Sequence, residues 1–162
     1  MSAVLDDLFD RLRAATSPVE IEALQDAIWQ HWLSTGQQHL DKALEAGMRA
    51  LQAEDYTAAI AEFNQIIQLA PQLAEGWNKR ATAYYLRGEY RAALSDIAAA
   101  LQREPRHFGA LWGQFRILEH LGETRRALAI LNRLDAICSG FYGLRELQLT
   151  FRERLGENDA ID

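Results

Sequence analysis

The residues of this chain best suited to metal or nucleophilic chemistry are His31, His39, His107, His120 and Cys138. Metal sites draw on such ligands set a few residues apart, and no pair among these five has that spacing. His31 and His39 flank the end of a predicted helix and read as surface or cap residues. A reactive thiol needs an electropositive, accessible setting, whereas Cys138 closes a helical stretch and reads as a buried, inert thiol. Neither a glycine-rich phosphate loop nor a nucleophile elbow is present. Asp6 and Asp7 suit the positive end of a short helix and need no catalytic role. The expectation is a chain that is not an enzyme and needs neither metal nor cofactor.

With 162 residues, 49% of them hydrophobic and 25% charged, the chain matches one soluble domain. No apolar run approaches the ~20 residues of a membrane span, so no membrane insertion is expected. The start, Met1 to Asp7, has neither a basic stretch nor an apolar core, and no signal peptide is visible. The sequence assigns no compartment: cytoplasmic as it stands, or periplasmic if a leader has been removed. A single cysteine excludes an intrachain disulfide framework. The net charge of −6 argues against phosphate backbones, so no nucleic acid is expected. The charge is uneven: residues 1–39 sum to −4, 40–73 to −3, 74–107 to +2, 108–141 to +1 and 142–162 to −2.

Positions recur at a fixed step. Pro71 and Pro105 lie 34 residues apart. Ala59, Ala93 and Ala127 keep the same register, each followed by an aliphatic residue: Ile60, Leu94 or Leu128. The turns agree as well, with Asp55-Tyr56, Glu89-Tyr90 and Glu123-Thr124. The clearest copy runs from Ala74 to His107. Trp77, Ala81 and Tyr84 mark its first helix, Arg87-Gly88-Glu89 its turn, Ala93, Leu94, Ile97 and Ala100 its second helix, and Pro105 its end. This stretch resembles the tetratricopeptide repeat (TPR), which has the same step and the same order of residue types. From Gly76 to Leu111 it is similar to small stand-alone bacterial TPR proteins.

The resemblance implies an all-α fold, a right-handed superhelical α-solenoid of three repeats at 40–73, 74–107 and 108–141. Helices are expected near 38–53 and 57–69, 74–87 and 90–103, and 108–121 and 124–137. Residues 1–39 read as a helix pair, a degenerate repeat that caps the N-terminal end. Its second helix starts on Ser17-Pro18-Val19-Glu20 as a capping box and carries Ile21, Leu24, Ile28 and Trp32. Residues 142–155 read as a C-terminal capping helix, with Leu144, Leu147, Leu149 and Phe151 available for packing. Residues 156–162 read as a flexible tail.

Stacked helix pairs leave a hollow along one side, and in this family the first helix of each repeat lines it. Carried over by position, the groove residues are Leu44, Met48, Asn78, Lys79, Thr82, Tyr85, Trp112, Arg116 and Glu119, with Asp41, Leu51, Glu75 and His120 on the same faces. The expected function is a non-enzymatic protein–protein interaction module, an adaptor or scaffold that binds a peptide or helix in this groove. The positive sums of the second and third repeats favour a partner with acidic residues. Chaperone-binding members hold a C-terminal carboxylate with lysine, arginine and asparagine. The matching positions here are Leu44, Met48, Lys79, Gly109 and Gly113, and only Lys79 could serve. The alternatives are a homo-oligomerising subunit, for instance a homodimer, and an accessory subunit of an enzyme complex. Phe115 stands where the other repeats have Gly47 and Ala81, and Gly109 and Gly113 weaken its helix by on the order of 1 kcal/mol each. The third repeat is therefore expected to be the loosest, or to open space for a ligand near Trp112.

Overall fold

Each 34-residue unit turns on one residue with a left-handed backbone. Glu54, Gly88 and Gly122 hold equivalent positions with φ of 59°, 77° and 70°. The residue after each one caps the next helix, and Asp55 does so with its side chain, accepting from the Ala58 N–H at 3.0 Å. In the computed structural model, which describes residues 3–138 and 143–156, all regular structure among the described residues is helical. The helices are α1 (Ala3–Ala14), α2 (Pro18–Leu33), α3 (Gln38–Gln52), α4 (Tyr56–Leu69), α5 (Ala74–Leu86), α6 (Tyr90–Arg103), α7 (Phe108–His120), α8 (Thr124–Ile137) and α9 (Leu144–Arg154). Consecutive helices from α3 to α8 pack on one another, and α3, α5 and α7 lie side by side, as a helical-repeat solenoid requires.

Within each hairpin, large and small residues trade places. A Cβ added to Gly47 of α3 would stand 2.4 Å from Cε1 of Phe63, so the phenyl ring of α4 occupies that space. The second repeat pairs the buried Ala81 with the buried Ile97. In the third, Phe115 on α7 carries the bulk and Leu131 on α8 is the smaller partner, both fully buried. The Phe115 ring meets Phe151 of α9 at 5.4 Å and Trp112 at 5.1 Å.

α1 and α2 form a hairpin that folds back over α5, α7 and α8, with only the end of α2 beside α3. Leu5, Phe9, Leu12, Ile28 and Trp32 share one core with Phe108, Leu111, Phe115 and Leu131. Burial of side chains of this size contributes about 1.5–3 kcal/mol each. Polar contacts fix the register: Arg106 donates to Asp6 at 2.9 Å and lies 4.2 Å from the Phe9 ring, and Gln25 reaches Cys138 Sγ at 3.4 Å. Cys138 is buried.

Three local expectations change. Ser17 stands at the N-cap of α2 with Pro18 first in the helix, but no capping side-chain hydrogen bond forms. Leu149 is 52% exposed, because it lies five residues beyond the buried Leu144 and so on the other face of α9, while Phe151 packs inward. Phe141 lies outside the described residues, and α9 begins at Leu144.

Glu54 alone among the three turn residues carries a side chain into the left-handed region. Glu54→Gly should stabilise the fold by about 0.5–1 kcal/mol, the relief of strain exceeding the entropy cost of glycine. A denaturation midpoint that stays put or falls would refute this.

Candidate functional site

The first helices of the second and third repeats supply the site. Asn78, Thr82 and Tyr85 of α5 and Trp112 and Arg116 of α7 converge on one cleft of ≈ 280 Å³. Ala81, Ile97, Gly113 and Ile117 form its apolar floor, and Gly109 lies at one end. The cleft opens where α7 has glycines, one turn apart, in place of side chains. Tyr85 packs on Tyr90 at 5.8 Å, and Tyr90 on His120 at 4.7 Å, which makes an aromatic rim. Arg116 is half-exposed and pairs with Glu119 at 3.3 Å.

The other expected groove residues go elsewhere. Leu44 is buried with Ile60 and Phe63 in the core between α3 and α4. With Met48, Asp41 and Glu45 it also borders a second hollow of ≈ 400 Å³, whose far wall is Gln30, Leu33 and Ser34 of α2. Thr35 donates its backbone N–H and its hydroxyl to Asp41, at 2.8 and 2.7 Å, and these bonds hold that carboxyl below its usual value. Glu119 is half-buried and meets only the edge of the cleft through Arg116. Lys79 turns away from the cleft toward Glu75 and Trp29.

Lys79 belongs to a buried polar cluster. The Glu75 and His107 side chains have no exposed surface. His107 Nδ1 accepts from the Ala110 N–H at 3.2 Å and so caps α7. Its proton therefore resides on Nε2, which donates to Glu75 Oε2 at 2.8 Å. Asn78 Nδ2 donates to the same oxygen at 3.1 Å, and Lys79 Nζ lies 3.2 Å from Oε1 as a charge partner. Burial alone would raise the Glu75 carboxyl, but the His107 hydrogen bond and the Lys79 charge outweigh it and hold the group below its usual value.

α2 roofs this cluster. The Trp32 ring stacks on His107 with centroids 4.0 Å apart and planes 8° from parallel. Trp29 meets His107 edge-on at 5.7 Å and carries Lys79 over its face at 4.9 Å. A Cβ on Gly109 would come within 2.6 Å of the Trp29 ring, so this glycine admits the helix. The chain's own α2 thus fills the groove at the N-terminal ends of α5 and α7, and the cleft is what stays open beyond it.

Sequence reasoning put Glu75 in the groove but missed His107 and the α2 roof. The available signal was Trp29 and Trp32, one turn apart on α2 and more apolar surface than the stack on α1 alone uses. Two of the second repeat's arginines are committed to carboxylates of the same repeat, which leaves its net positive sum unchanged. Arg80 makes a two-point bond to Asp96, both arms 2.7 Å, and Arg106 forks onto Glu104 at 2.9 and 3.1 Å. Among the described residues no helix is long and apolar enough to cross a membrane, and no group of His, Cys, Asp or Glu could hold a metal ion.

Since the Glu75 carboxyl is held low in the fold, its ion pairing contributes stability above the ordinary value of 4.5 and loses it as pH falls through the lowered one. Glu75→Gln strands the neighbouring Lys79 charge and should cost about 3 kcal/mol near neutral pH. Below pH ~4.5 the stability of native chain and variant should converge. Denaturation measured across pH 2.5–7 checks this (roughly the span of carboxylate titration), and a constant gap between the two would refute it.

No family model matches the sequence. A TPR repeat-containing protein of Rhizobium etli is 33% identical over 129 residues, which cover 80% of this chain and 63% of that protein. Tetratricopeptide repeat protein 36 of Mus musculus is 43% identical over 61 residues, 37% of this chain and 33% of its own length. The chain thus spans less than two thirds of these relatives. Among solved structures, the first TPR of Spaghetti bound to an HSP90 peptide superposes with a TM-score of 0.68 at 17% identity, covering 74% of this chain and 97% of that one. The Sgt2 TPR domain of Aspergillus fumigatus gives 0.67 at 19% identity, covering 78% and 90%. Three helix hairpins in one 34-residue register build a solenoid with the fold of these TPR domains, and over 80% of its length the chain is similar to a TPR repeat-containing protein.

Proposed function

We propose that the chain is a protein-interaction module without chemistry of its own, an adaptor that holds a peptide or helix of another protein in the α5–α7 cleft. One observation carries the reading. Side chains spaced along two helices for the groove face, Asn78, Thr82, Tyr85, Trp112 and Arg116, meet around a single apolar hollow. A bulky apolar side chain of the partner fits the floor of Ala81, Ile97 and Ile117, with Tyr85 and Trp112 as aromatic walls. Arg116 at the mouth favours an acidic residue beside that anchor.

A chaperone-tail carboxylate is a poor fit. Gly109 and Gly113 offer no cation at the matching positions, and Lys79 is already committed to Glu75. The HSP90-peptide complex among the structural neighbours supports peptide binding by this fold, not that peptide for this chain.

Peptides selected from a random display library against the intact chain provide the test. Trp112→Ala and Gly113→Leu should each weaken their binding at least tenfold, about 1.4 kcal/mol, while Leu149→Ser on the far face leaves it unchanged. Arg116→Glu should weaken acidic peptides selectively. Selected peptides that bind all of these variants equally would remove the reading, and sedimentation of the free chain as a dimer through this cleft would favour the homo-oligomer instead.

A further inference from the structure

Asn78 lines the cleft, and only 5% of its surface is exposed. An asparagine amide offers either a donor or an acceptor, depending on which way it is turned. Here the turn is decided from behind. The buried Glu75 carboxylate takes the Nδ2 group at 3.1 Å. An ionised carboxylate only accepts, so the Oδ1 atom must point the other way. Glu75 is itself immobilised by His107 at 2.8 Å and by Lys79 at 3.2 Å, under the Trp29 and Trp32 rings. Among the described residues no side chain or backbone N–H donates to Asn78 Oδ1, although the residue is nine-tenths buried and lines the cleft. One turn on, Thr82 spends its hydroxyl proton on the Asn78 carbonyl at 3.1 Å, so its oxygen too is left as an acceptor. On the α5 wall Asn78 and Thr82 therefore present acceptors to the cleft, and on the α7 wall Arg116 presents a cationic donor.

We propose that Glu75 is a positioning residue that locks Asn78 with its carbonyl toward the cleft, so that the site selects a ligand donating an N–H there: a backbone amide of a peptide whose apolar side chain fills the floor. The inference rests on the cleft reading above and narrows it. A ligand carboxylate placed beside Asn78 and Thr82 meets two acceptors and is disfavoured there. Arg116 on the opposite wall favours it instead, which sets the direction of the peptide across the groove. Because the same carboxylate joins Asn78 to the residues beneath α2, seating of the N-terminal hairpin and polarity of the cleft share one anchor.

The probes are N-acetyl-tryptophan N-methylamide and its analogue methylated at both backbone amide nitrogens, titrated by NMR into the intact chain. With the native chain the N–H probe should shift the Gly109, Gly113 and Thr82 amide signals saturably and bind at least tenfold more tightly than the methylated one. Glu75→Gln frees the Asn78 amide to turn, and the ratio between the two probes should fall toward one. A general loosening of the fold would weaken both probes together and leave their ratio unchanged, which would count against the proposal. A second readout needs no variant: one Asn78 side-chain N–H proton should be protected from exchange at neutral pH and lose protection in acid as Glu75 protonates. Rapid exchange of both protons at neutral pH would overturn the assignment. Equal binding of the two probes to the native chain defeats the inference alone, whereas no saturable binding of either defeats the cleft reading with it.

Discussion

A stack of two rings over a buried carboxylate decides what this solenoid can do with its groove. Trp32 lies flat on His107, and His107 donates its Nε2–H to the Glu75 carboxylate. A carboxylate without exposed surface is tolerable only when its charge and lone pairs are met inside the protein. Glu75 has His107, Asn78 and Lys79 around it. All three meet on the one Glu75 carboxylate, which ties the start of α5 to the start of α7 beneath α2.

The α1–α2 hairpin changes the usual geometry of stacked repeats. A bare stack leaves a hollow along its whole length. Here the hollow is split. Its lower part, at the N-terminal ends of α5 and α7, is core: Trp29, Trp32 and Phe108 pack there with Ile28 and Leu24. Its upper part, past Gly109, is a short cleft. The seam is not perfect, since the Trp32 indole N–H is buried with no acceptor, a deficit of about 1–3 kcal/mol. The apolar burial of Phe9, Leu12 and Ile28 offsets it several times over.

The repeats themselves obey volume conservation more than residue identity. Gly47 faces Phe63, Ala81 pairs with Ile97, and Phe115 pairs with Leu131, so each hairpin fills the same space from a different side. That is how Phe115, at odds with its two equivalents, is accommodated in the third repeat. α9 adds Phe151 over it, and the N-terminal hairpin closes the same core.

The 34-residue step was legible because like residues recur in register, and the helix limits to within a residue or two because each depends on neighbours a few residues apart. Trp77, Ala81 and Tyr84 share a face whatever the rest of the molecule does. Of the groove positions carried over from the resemblance, Asn78, Thr82, Tyr85, Trp112 and Arg116 border one cleft, whereas Leu44, Met48, Lys79 and Glu119 do not line it. What periodicity cannot carry is pairing at long range. Glu75 with His107, Asp6 with Arg106 and Gln25 with Cys138 are 32, 100 and 113 residues apart. The same pattern of apolar residues on α1 and α2 could have covered α3 instead. Only the assembled shape decided otherwise: a glycine gap at Gly109 wide enough for Trp29, and a ring at His107 for Trp32 to lie on.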